Sequence, residues 1–197
     1  EDGPTHQAIE HINSLRDMPN NTFIRPCDTL ETAMGWKFAI ENKDGPTCLI
    51  LSRQKCKFQN RTSEQIAKIT KGGYVLKDPK DFDIILISTG SEIGITMDAA
   101  NILEKKGIKA RVVSMLSTEI FDKQDIEYKE SVLPPKFNKK LVVEAGSTSF
   151  WYKYVGSNGD IIGINSFGES APGDKLLEYF GFSSENVVER ADMLMKN

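Results

Sequence analysis

Four consecutive aliphatic residues, Ile84-Ile85-Leu86-Ile87, stand between Asp83 and Ser88. The run is short, rich in β-branched residues and without a polar face, so it reads as a strand buried on both sides. Such a strand needs cover above and below, which restricts the surrounding chain to a mostly parallel sheet between layers of helices. In sheets of that kind ligands bind outside the carboxyl ends of the strands.

The rest of the chain supplies the matching alternation. Apolar residues at helical spacing, Ile9, Ile12 and Leu15 with Ala8 beside them, predict a helix over residues 5–18. A short strand over 22–25 follows, then a helix over 29–41 announced by Asp28 and Glu31 and expected to bury Leu30, Ala33, Met34 and Phe38. Residues 47–51 form the next apolar strand. A polar segment over 55–71, ending at Gly72-Gly73, reads as the join between two units. Beyond it, strands over 74–77, 83–88, 110–115, 141–144 and 161–165 alternate with helices over 92–105, 122–132, 147–155, 174–180 and 185–195. The expected organisation is a partial first domain over 1–60, a linker over 61–72, and a three-layer α/β/α domain of about five mostly parallel strands over 73–197.

With 39% hydrophobic and 27% charged residues, the chain can bury a substantial core. Its formal net charge of -3, with both signs interspersed, leaves no basic footprint for nucleic acid or an anionic membrane. No apolar run is long enough to span a bilayer and the start does not resemble a signal peptide, so a cytoplasmic location is expected. Cys27, Cys48 and Cys56 show no C-x-x-C pair, which argues against a disulfide framework or structural zinc. The chain opens without Met, and its first turn lacks the strand an α/β unit normally places ahead of it; a piece of a longer protein is expected.

The densest chemistry lies in Glu1-Asp2-Gly3-Pro4-Thr5-His6-Gln7. Gly3 and Pro4 form a turn, Thr5 can cap the following helix, and His6 falls in that helix's first turn, where the exposed N–H groups favour a neutral imidazole. Read alone, the stretch is a turn and a cap. Its placement adds to that reading: Arg53, after the strand at 47–51, and His6, at a helix start, lie at one edge of the sheet and can face one pocket.

Other candidates weigh less. His6 and His11 sit roughly 140° apart around a helix, so they do not form a metal pair. Thr89-Gly90-Ser91-Glu92 reads as a capping box rather than a phosphate cradle, lacking both G-x-G-x-x-G spacing and a P-loop lysine. Glu144 and Glu169 are acids at the functional edge, or else caps or ion-pair partners. The aromatics Phe150, Trp151, Tyr152 and Tyr154 suit core or subunit interface, with an interface favoured.

Taken together, the opening seven residues, Leu51-Ser52-Arg53-Gln54, Val143-Glu144-Ala145-Gly146, Trp151-Tyr152-Lys153-Tyr154-Val155-Gly156 and Phe167-Gly168-Glu169-Ser170-Ala171-Pro172 resemble transketolases in order and spacing. The resemblance covers the whole chain: the end of a thiamine-diphosphate-binding (pyrimidine) domain and a complete C-terminal domain. It implies a transferase of the pentose phosphate pathway that moves a two-carbon ketol unit between sugar phosphates. It further implies thiamine diphosphate with a divalent cation (magnesium or calcium), and a homodimer. It implies that Asp2 contacts a substrate hydroxyl, that His6 assists beside the reacting carbons, and that Arg53 binds the substrate phosphate, for which a guanidinium fork is suited. The domain that grips diphosphate and metal has no counterpart here, so no metal ligand or cofactor-binding residue is assigned and the chain alone is expected to be inactive and to bind neither. A 1-deoxy-D-xylulose 5-phosphate synthase, a non-catalytic dimerisation module and a separately encoded half-subunit remain as alternatives. Gln7 and the L-S-R-Q motif favour transketolase.

Overall fold

The computed structural model describes residues 3–196. Asp83 to Ser88 takes its expected place: β4 (Ile84–Ser88) is central in a five-stranded sheet of order β3-β5-β4-β6-β7, with β3 (Tyr74–Lys77), β5 (Ala110–Ser114), β6 (Lys140–Val143) and β7 (Asp160–Ile162) around it. Only β3 runs antiparallel to its neighbour, and the other pairs are parallel.

Alternation along β4 sorts its side chains to two cores. Ile84 and Leu86 pack with Ala99, Ala100 and Leu103 of α4 (Glu92–Lys105) and Val187, Val188 and Ala191 of the helix Ser184–Lys196. Ile85 and Ile87 face the opposite layer, with Phe121 of α5 (Thr118–Asp122), Val132 of α6 (Ile126–Val132) and Tyr154 of α7 (Tyr152–Val155). The three-layer expectation therefore holds, for the physical reason given: a strand apolar on both sides is covered on both sides. Trp151 and Tyr154 belong to this core, Trp151 wholly buried, while Tyr152 is exposed; the expected interface role is corrected for the two core rings. No helix among the described residues is long and apolar enough to cross a membrane.

The first 60 residues contribute β1 (Thr22–Ile24) and β2 (Thr47–Leu49), paired in parallel, with α1 (His11–Asp17) and α2 (Thr29–Glu41). Asp28 caps α2 as expected, accepting the Glu31 N–H at 3.1 Å. The buried face of α2 differs from the sequence expectation: Ala33 is exposed, and Glu31 and Gly35 are buried instead. Glu31 is drawn inward because Tyr74, Ser114 and Arg61 all donate to its carboxylate. Gly35 leaves room for Ile24 and Leu49, which a Cβ would meet at 3.2 and 3.4 Å.

Residues 61–72 hold α3 (Ser63–Lys68) and a 3-10 turn, Ile69–Lys71. The Arg61 side chain is buried there, bonding Asp28 at 2.6 Å and the Tyr74 hydroxyl at 2.6 Å. Ile24 and Cys27 share a core with Ile69, Tyr74, Ile93 and Leu116, so apolar packing continues from the first unit into the second.

The helix expected over 5–18 does not form as one piece. Pro4–His6 is a 3-10 turn closed by the Gln7 N–H on the Pro4 carbonyl at 3.0 Å, and α1 starts only at His11. In a continuous helix the Gln7 carbonyl would accept from His11; here it accepts the Gly168 N–H at 3.0 Å. Thr5 is not a cap and His6 does not stand at an α-helix N-terminus, which removes the argument from the helix dipole for its imidazole. The residues α1 buries are Asn13 and Arg16, with Ile12 and Leu15 only half-buried.

Candidate functional site

In a doubly wound sheet, the crevice between β4 and β6 is where a ligand would enter, since the connection after β4 runs to β5 on one side and that after β6 to β7 on the other. Two arginines of the first unit fill it. Arg25, directly after β1, donates to the Thr89 carbonyl at 3.0 Å and ion-pairs with Glu92. Glu92 also accepts from Ala145 N–H at 3.1 Å and is wholly buried, so the capping box expected at Thr89 and Glu92 does not form. The turn at 89–92 thus holds a cation of its own chain, paired with Glu92.

Arg16 of α1 meets Glu144, the residue after β6, through two bonds of 2.8 and 2.6 Å, with both side chains buried. The same carboxylate accepts the Trp151 indole N–H at 2.5 Å. Burial pushes the Glu144 carboxyl up, but Arg16, then Arg25 and the indole N–H, outweigh it and leave its pKa below the ordinary value. Of the two functional-edge acids, Glu144 is therefore an ion-pair partner that joins the two units. Periodicity carries no sign of Arg25 and Glu92 meeting, because 67 residues separate them.

The open space lies next to this join. A cavity of 360 Å³ is lined by Gln7 and Ile12, by Arg53 and Gln54, and by Glu169 and Leu176, from three separate segments of the chain. Arg25 and Glu92 of the join also line it. An adjoining cavity of 570 Å³ shares Gln7, Arg53, Gln54 and Glu169. Arg53 lies past the carboxyl end of β2, as the strand pattern predicts, and is exposed. Arg16, Arg25, Arg61, Arg111 and Arg190 all carry ion pairs, whereas Arg53 has neither an ion pair nor a hydrogen bond among the described residues.

His6 is exposed in the turn before Gln7, and its Nδ1 lies 3.2 Å from the Thr5 hydroxyl oxygen. It does not itself line the cavity that Gln7 shares with Arg53. Asp2 falls outside the described residues. Gln7 and Gln54 are wall residues to which the sequence pattern gave no role, legible only as neighbours of His6 and Arg53, whereas Glu169, a candidate acid of the functional edge, does line the wall. No group of three His, Cys, Asp or Glu able to hold a metal ion occurs among the described residues.

Comparison with known proteins agrees with this architecture. Residues 1–59 match the family model of the transketolase pyrimidine binding domain, and residues 72–183 that of the transketolase-like C-terminal domain. Transketolase 1 of Escherichia coli is 54% identical over 196 residues, covering 99% of this chain and 30% of that protein. A transketolase of Pichia stipitis, solved in complex with sedoheptulose-7-phosphate, superposes with a TM-score of 0.90 at 42% identity, covering 100% of this chain and 28% of its own. A split-gene transketolase solved as an inactive β4 tetramer gives a TM-score of 0.80 at 25% identity, over 98% of this chain and 64% of that one. The chain thus spans about 30% of the length of the curated relatives it matches. With both family models in sequence order and the fold superposing end to end, the chain belongs to the transketolase family.

Proposed function

We propose that this chain forms the substrate-side wall of a transketolase active site, in an enzyme that moves a two-carbon ketol unit from a ketose phosphate to an aldose phosphate. The observation that carries the reading is Arg53: a guanidinium at the wall of an open cavity with no partner among the described residues, while the other arginines are paired there with carboxylates. A free planar cation binds a phosphate through parallel charge-assisted bonds. The Pichia relative holding sedoheptulose-7-phosphate supports a phosphorylated sugar as the occupant. His6, one residue from the cavity wall, is assigned polar assistance at the reacting carbons, and Asp2 selection of a substrate hydroxyl.

Thiamine diphosphate with its divalent cation, as the pyrimidine-domain match supports, would supply the chemistry that breaks and re-forms the carbon–carbon bond. No described residue is assigned to the cation, because the described residues contain no ligand cluster for one. This chain's own part is to bind, orient and screen the sugar phosphate. The reading extends to a homodimer and to the cytoplasm, where three free cysteines suit a reducing compartment.

Two assays test it. The full-length enzyme should transfer a ketol unit from a ketose phosphate and ignore pyruvate as donor; pyruvate turnover would overturn the substrate assignment. This chain by itself should show no transfer when thiamine diphosphate and magnesium are added, in line with the inactive state of the split-gene relative. Measurable turnover by the isolated chain would refute that expectation.

A further inference from the structure

The segment 165–172 runs exposed along the surface with one exception, Gly168, which is buried. At that point the loop meets the segment carrying His6. The Gly168 N–H donates to the Gln7 carbonyl at 3.0 Å, and Gln7 in turn closes the 3-10 turn Pro4–His6 through its own N–H on Pro4. The approach is close: a Cβ on Gly168 would lie 2.8 Å from the Gln7 Cβ and 3.3 Å from its carbonyl oxygen. Neither atom can swing away as a side-chain tip can, so a methyl group here displaces the Gln7 backbone. Gly168 does not have a positive φ, and its need for glycine comes from this contact and not from backbone conformation.

We propose that Gly168, in the second domain, is a positioning residue for His6 in the first. By taking the carbonyl that would otherwise start α1 earlier, it keeps Pro4–His6 as a separate turn and fixes where the imidazole stands relative to Arg53. The C-terminal domain then contributes to the reaction through a contact that touches no substrate. This inference rests on the role assigned to His6 above.

A glycine away from the cavity provides a control. A Cβ on Gly94 would meet only the Lys57 Cβ, at an ordinary contact distance of 3.8 Å. Gly94 lies within α4, where alanine is welcome.

The test uses the full-length enzyme and steady-state kinetics with a ketose phosphate donor. Gly168→Ala is expected to lower kcat by about 10- to 100-fold, the scale on which a sub-ångström to ångström misplacement acts, with the cooperative fold retained at the assay temperature. Gly94→Ala should stay within about twofold of wild type, because the added methyl displaces no neighbour. Gln7→Gly, which removes the opposing Cβ, should restore Gly168→Ala to the kcat of Gln7→Gly alone. Wild-type kcat in Gly168→Ala, an equal loss in Gly94→Ala, absence of recovery in the double variant, or loss of fold in Gly168→Ala would each overturn the proposal. His6→Ala separates the two readings. If it leaves kcat unchanged, the role of His6 fails and takes this inference with it; if it lowers kcat while Gly168→Ala does not, only the positioning role fails.

Discussion

Arg16→Met is expected to destabilise the protein by about 3–5 kcal/mol, the cost of leaving one member of a buried ion pair without its partner. Methionine replaces most of the arginine's packing volume against Phe23, Phe150 and Trp151, whose ring centres lie 4.7 to 5.0 Å from the guanidinium carbon. What it cannot replace is the pair of short bonds to Glu144, whose next cation, Arg25, stands 3.9 Å away. The loss should appear as a lower urea midpoint at unchanged m-value. It should also depend on pH in a definite sense. The Glu144 pKa is lowered in the folded protein, so the pair stabilises above the ordinary carboxylate range, near about pH 4, and the contribution disappears as pH falls through the lowered value. The deficit of Arg16→Met should therefore shrink in acid. Adding Glu144→Gln should recover part of it at neutral pH. A deficit below about 1 kcal/mol, the scale of an exposed pair, would show that the join is held by apolar packing alone.

Arg53→Ala should do the opposite: leave stability unchanged and alter substrate choice. Because Arg53 has no partner among the described residues, its removal strands no buried carboxylate. In the full-length enzyme, the lost charge-assisted bond, about 1.5–3 kcal/mol, should raise KM for phosphorylated acceptors roughly 10- to 140-fold. Unphosphorylated acceptors should be almost unaffected. Equal effects on both classes would end the phosphate assignment, and a lowered Tm would place Arg53 in the scaffold.

These two arginines also show where sequence reasoning reached and where it stopped. Arg53 was legible because it follows an apolar strand, and the edge of a sheet at which strands end is fixed once the strands are recognised. Arg16 was not. At 3.6 residues per turn it falls between Ile9 and Ile12 on the helix's apolar face, but the pattern names no partner that would let an arginine be buried there; it is buried while Ile12 and Leu15 are half-exposed. Its burial depends on Glu144, 128 residues away, and periodicity contains no term for such a partner. The same holds for Glu31, apparently a capping residue, which instead receives bonds from Arg61, Tyr74 and Ser114. The helix expected over 5–18 failed for a related reason. Its first turn is diverted by a hydrogen bond from Gly168, a contact that exists only after the second domain has folded against the first.

By itself the sequence determined the layers, the mostly parallel sheet and the family, because each rests on local pattern: side chains alternate along a strand, and a motif keeps its spacing. The tertiary structure alone decided that the crevice between β4 and β6 is filled by Arg25, that Glu144 joins two units, and that Gly168 holds the turn bearing His6. Charges and backbone carbonyls buried between distant segments are stable only with their partners in place, and which partner arrives is settled by the packing of the whole chain.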